Sequence, residues 1–172
     1  FNINSSNNYV ISNAVRTPGN DIANPGFESG GNIAGGEEGW FGPPQATIVD
    51  DSANARNGNN SLQVTANATT ASIFAGTFYE VKPGDSMYFS GYVKNSAGAN
   101  GEAGIQMTWF DKDRNPISVS NSFTGLPGTA YTPKVLNEVA PAGAAFVRVA
   151  ATVRSSATTG TFYFYDFYMP KS

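Results

Sequence analysis

The residues able to do acid–base chemistry are scattered. Asp21, Glu28, Glu37, Glu38, Asp50, Asp51, Asp85, Asp111 and Asp113 fall mostly in segments that read as loops and turns. Glu80, Glu102, Glu138 and Asp166 lie in or beside strand-like segments, but no two of them share a strand at period-2 spacing. A glycosidase needs two carboxylates facing each other across a cleft, and this pattern does not supply them. The chain has no His and no Cys. That removes the usual general base, the usual zinc ligands and both common nucleophilic triads. Tyr and Arg remain, and a polysaccharide lyase can use them to take a proton α to a carboxylate. No strand motif that would cluster them for this is recognisable, so no enzyme is expected.

What remains is recognition by aromatic and neutral polar side chains. Aromatic residues make up 13% of the 172 residues and charged residues another 13%, with a net charge of −3. Charge is scarce by the standard of about 25% in ordinary domains. A nucleic-acid partner is not expected, because phosphate binding needs a basic field. No apolar run is long enough to span a membrane. No signal peptide is visible, and the chain opens at Phe1 without Met, so a mature or excised fragment is expected.

The elements that must position these groups read as β throughout. Residues 1–20, rich in Asn and Ser, are a linker remnant or an integral N-terminal arm, and 21–172 form a single domain. Asn24-Pro25-Gly26 is a turn leading to Phe27, Glu28 and, after a glycine-dense loop over 29–39, to Trp40. Strands are expected at Ala46–Val49, Ser61–Thr65, Ala71–Val81, Ser86–Lys94, Gly104–Phe110, Ile117–Ser120, Tyr131–Val139, Phe146–Arg154 and Thr161–Met169. Alternation places Phe89, Gly91 and Val93 opposite Tyr88, Tyr92 and Lys94. Trp109 shares parity with Ile105 and Met107 and belongs with the core. No convincing helical period occurs. Short strands separated by Gly, Pro and Asn turns predict an all-β sandwich, a jelly roll of two antiparallel sheets.

Three segments together carry a resemblance: Asn24–Glu28 with Gly39-Trp40; Arg56-Asn57-Gly58-Asn59-Asn60-Ser61-Leu62-Gln63-Val64; and the closing Phe162–Met169 with Asp166 among aromatics. Val81–Asp85 followed by Tyr88–Lys94 lies between them. The series resembles carbohydrate-binding modules of families 4, 16 and 22, over roughly residues 22–170. The resemblance implies a structural calcium ion held at Gly26, Glu28, Asn60 and Asp166. Calcium takes six to eight hard oxygen ligands, which such carboxylates and carbonyls provide. The alternative is that Glu28 pairs with Arg56 and Asp166 caps a turn.

The resemblance also implies that a sugar lies across one sheet, on the non-core residues of its strands. Those are Tyr88 and Tyr92; Gln106, Thr108 and Phe110; Arg148, Thr152 and Arg154; and Ser118 and Ser120 from the hairpin partner. Gln106 matches a sugar-contacting Gln of family 16, whereas a stacking Trp expected near Arg148–Arg154 is replaced by arginines. Arg suits carboxylates, so the ligand is either a neutral β-glucan or mannan type or an acidic polysaccharide such as alginate. Trp40 is either a core plug or the rim of the cleft. The expected function is a non-catalytic module that tethers a parent glycoside hydrolase or polysaccharide lyase in the same polypeptide, secreted and monomeric. The alternative is a structural or adhesive sandwich of a cell-surface or tail-fibre protein.

Overall fold

Alternating side chains fold into eleven strands among the residues that the computed structural model describes, which are 19–28, 39–42, 46–50, 53–66, 71–124, 127–154 and 159–170. They are β1 (Trp40–Phe41), β2 (Ala46–Asp50), β3 (Asn60–Thr65), β4 (Ala71–Ala75), β5 (Tyr79–Glu80), β6 (Ser86–Asn95), β7 (Ala103–Phe110), β8 (Pro116–Thr124), β9 (Thr132–Val139), β10 (Phe146–Val153) and β11 (Thr161–Tyr168). All pairings between them are antiparallel. One sheet, here the front sheet, runs β1-β4-β10-β7-β8 with β5 also paired to β10; the back sheet runs β2-β3-β11-β6-β9. Among the described residues there is no helix, and the two sheets form a sandwich. The segment expected as one strand over 71–81 is two, β4 and β5, with Gly76 at the break. A Cβ at Gly76 would meet the Phe41 ring at 2.8 Å, so the chain turns where only Gly fits.

The core lies between the sheets. Ile73, Ile105, Met107, Trp109, Val147 and Val149 enter it from the front, and Leu62, Val64, Phe89, Val93, Phe162 and Phe164 from the back, all almost fully buried. At one end Phe27, Trp40 and Phe167 form a ring cluster with centroids 5.1–5.7 Å apart. Phe167 is there because β11 carries a bulge between Tyr165 and Tyr168. Asp166 adopts φ 59° in it, and the extra residue resets the alternation. Phe167 therefore turns inward, into the space left by Gly91, where a Cβ would collide with its ring. Asn20 closes the seam: its side chain accepts from Ile22 N and Met169 N and donates to Phe167 O. The rest of the predicted N-terminal arm, apart from Gly19, lies outside the described residues.

Candidate functional site

Antiparallel register decides which side chains share a surface. On the outer face of the front sheet one row runs Phe41, Phe74, Ala150, Gln106, Asn121. The next row runs Ser72, Thr152, Gly104, Phe123, and on the other side of the first lie Arg148, Thr108 and Val119. Ala150, Thr152 and Thr108 are buried although they point outward. The middle of the face is thus built of small residues set between larger side chains on the flanking strands.

Polar groups in the middle of this face are joined. Thr152 Oγ1 donates to Gln106 Oε1 at 3.0 Å, Gln106 Nε2 donates to Thr108 Oγ1 at 3.3 Å, and Ser72 Oγ lies 3.1 Å from Thr152 Oγ1. Aromatic walls flank them. Arg148 donates from Nε to Ala75 O at 2.8 Å, and its guanidinium lies 5.0 Å from the centroids of Phe74 and Phe78 and 5.7 Å from that of Phe41. On the far side Arg154 lies 4.9 Å from the Phe123 centroid and pairs with Glu102 at 3.2 Å. Cation–ring contacts of this kind hold both parties in place. The face thus combines flat apolar rings with fixed donors and acceptors. Such a surface can stack on the C–H face of a pyranose and read its hydroxyls.

The residues expected on one sugar face divide between the two sheets. Gln106, Thr108 and Arg148 belong to the front sheet, with Arg154 just past the end of β10. Tyr88 and Tyr92 lie on β6 of the back sheet and face the opposite side of the sandwich. Arg56 covers Tyr92, with its guanidinium 3.7 Å from the ring centroid. Tyr88 packs edge-on against Tyr168 at 6.2 Å. Trp40 is fully buried and donates from Nε1 to Ala23 O at 3.1 Å. It is a core residue, so it cannot rim a cleft. Ser118 and Ser120 pair with the inward-facing Trp109 and Met107, and Ser120 accepts from Trp109 Nε1 and donates to Glu138. They too leave the proposed surface. Phe74, Phe41, Ser72 and Asn121 take their places. Of these, Phe74 and Ser72 carried a sequence signal, their parity opposite to Ile73 in β4.

The expected calcium flank lies where the Asn24–Glu28 turn meets the start of β3 and the end of β11. Glu28 accepts from Asn59 N at 2.9 Å, Asn60 N at 3.3 Å and the Tyr165 hydroxyl at 2.9 Å. Burial and this carboxylate together push the Tyr165 pKa well up, so it stays a donor. Asn60 Nδ2 bridges the carbonyl oxygens of Phe27 and Glu28. Gly26 packs against Tyr165 closely enough that a Cβ would lie 3.1 Å from its hydroxyl. Asp166 is engaged by Arg56 at 2.8 Å. The expected alternative pairing of Arg56 with Glu28 is therefore not the one formed. Among the described residues no group of three acidic side chains gathers. The two carboxylates and the carbonyls of Phe27 and Glu28 are still an all-oxygen set, which in kind suits a hard cation. Phe27 (φ 61°) and Asp166 (φ 59°) both hold left-handed backbone here, a conformation that non-glycine residues adopt at a cost.

No family model matches the sequence, and no curated protein does. Solved structures do. The chain has the β-sandwich fold of carbohydrate-binding modules. A family 16 carbohydrate-binding module superposes with TM-score 0.61 at 17% identity, covering 87% of this chain and 99% of that one. The CBM22-2 xylan-binding domain of Xyn10C from Paenibacillus barcinonensis gives TM-score 0.61 at 18% identity, covering 86% and 98%. Tailspike protein 4 of bacteriophage CBA120 gives 0.64 at 16% identity over 88% of this chain, which spans only 21% of that structure. At these identities the likeness is one of fold.

Proposed function

We propose that this sandwich is a non-catalytic carbohydrate-binding domain and that polysaccharide lies across the outer face of its front sheet. One observation supports this reading above the others: the hydrogen-bonded chain Ser72–Thr152–Gln106–Thr108 crosses the outer face between Phe74 on one side and Phe123 on the other. A domain of this kind works by tethering. It raises the local concentration of an attached polysaccharide-degrading enzyme on its substrate, outside the cell, and performs no chemistry itself. A shallow face gains from several sugar subsites, so chains should bind better than monosaccharides.

On the flank, Glu28 and Asp166 are the carboxylates we propose for a structural calcium ion, with carbonyl oxygens of the Gly26–Glu28 turn and Asn60 completing the set. A bound ion would compete with Arg56 for Asp166 and would brace the two left-handed residues. The likeness to a tailspike segment favours, as a second reading, an adhesive setting for the same sandwich. Affinity electrophoresis against glucans, mannans, xylan and alginate separates the two. Retardation on at least one polysaccharide is expected, and passage unchanged through all of them would overturn the binding reading in favour of the adhesive one.

A further inference from the structure

Strand β8 is the outermost strand of the front sheet. One side of its backbone meets β7, and the other meets no strand among the described residues. From Ser118 to Thr124 it pairs one-to-one with β7, running from Trp109 back to Ala103. The register shift at Trp109/Phe110 ends this regular stretch, and Pro116 beyond it has no N–H to offer. No residue of β8 is charged. Val119 is 47% exposed, and Asn121 is exposed as well. A long uncharged edge of this kind presents backbone N–H and C=O groups that another strand can take up.

The other sheet edges carry devices against pairing. On the far side of the front sheet, β1 and β5 are two residues long. In the back sheet β2 ends in Asp50, and β9 contains Pro133 and a buried Lys134. Short strands, charges and proline all discourage edge-to-edge association. The Ser118–Thr124 stretch has none of these.

We propose that this stretch pairs with the same stretch of a second copy of the chain, antiparallel, with the two-fold axis at Asn121. The segment matches itself under that operation. Asn121 meets Asn121 of the second copy, and an amide both donates and accepts. Ser120 meets Ser122. Val119 meets Phe123, an aliphatic–aromatic pair of the kind that steadies antiparallel strands. No charge is placed against a like charge. The pairing uses the open side of β8 in both copies, so the assembly closes at two. It joins the two front sheets into one and carries the Gln106–Asn121 row of one copy into that of the other. The two β7 strands then lie roughly 14 Å apart, three strand spacings. The contact is small, so the association is weak, and the expected monomer is its dilute form.

Sedimentation velocity of the full chain from about 10 µM to about 1 mM tests this, a span suited to a small contact. The wild type should pass from one copy to two. Asn121→Asp and Asn121→Lys should each stay single throughout, because like charges then face each other at the axis. An equimolar mixture of the two should regain two copies, because opposite charges meet there. Val119→Lys should also stay single. Both positions are exposed, so the fold accommodates the charge. A wild type that stays single at the highest concentration overturns the proposal, as does growth beyond two copies. So do charge variants that associate like the wild type, and a mixture that remains single.

Discussion

Tyr92 and Gln106 face opposite sides of the sandwich. Tyr92 is on β6 of the back sheet beneath the Arg56 guanidinium, and Gln106 is on β7 of the front sheet, hydrogen-bonded to Thr152 and Thr108. One sugar cannot rest on both.

Substitutions at these two residues should therefore have opposite signatures. Tyr92→Ala should leave polysaccharide affinity unchanged and lower the melting temperature, through loss of a ring that carries Arg56. Gln106→Ala should weaken binding by about tenfold, the cost of one to two ligand hydrogen bonds, with a modest drop in melting from the partner lost to Thr152 and Thr108. Calorimetric titration and thermal melts of both variants check this. Weakened binding in Y92A alone would move the site to the back sheet.

Trp40 should behave as a core residue. Trp40→Ala should destabilise the fold by about 3–5 kcal/mol, the range for deleting a buried large aromatic, because Phe27 and Phe167 lose their shared partner. Chemical denaturation measures this. A variant with native stability and lost sugar binding would return Trp40 to the cleft.

Calcium should raise the melting temperature of the wild type, and chelator should lower it. At about a hundredfold excess over Kd, an ion that binds only the folded state adds about 2.7 kcal/mol. Glu28→Gln should abolish the response. Melting curves that are the same in chelator and in calcium would remove the proposed ion.

The Asp111 turn should weaken in acid. Backbone and side-chain hydrogen bonds from Asn115 hold the Asp111 pKa below its ordinary 3.8, with Asp113 N adding a further donor. A carboxylate depressed in the folded state contributes stability above its unfolded pKa and loses it as pH falls through the folded value. Asp111→Ala should thus melt lower than the wild type at neutral pH, and the gap should close well below pH 3.8. A gap that persists unchanged in strong acid would mean the turn does not depend on this charge.

Period-2 alternation made much of the architecture legible. It separated Phe89, Gly91 and Val93 from Tyr88 and Tyr92, placed Trp109 in the core and located most strands to within a few residues. It missed the inward turn of Phe167, because a left-handed residue at Asp166 resets the parity and nothing in an aromatic run marks where. It also misplaced Ser118 and Ser120, whose strand had to be set against β7 before its inner face was known.

The sequence alone therefore determined the class, an all-β sandwich poor in charge and lacking His and Cys, and the inside and outside of the regularly alternating strands β6, β7 and β10. Alternation is a local property, set by how successive side chains leave a pleated backbone. The tertiary structure decided which outsides are the same outside. Sheet membership follows from pairings between distant segments, such as β10 with both β4 and β7, and strand parity is silent on these. That long-range pairing joined Phe74, Thr152 and Gln106 into one face and sent Tyr88 and Tyr92 to the other.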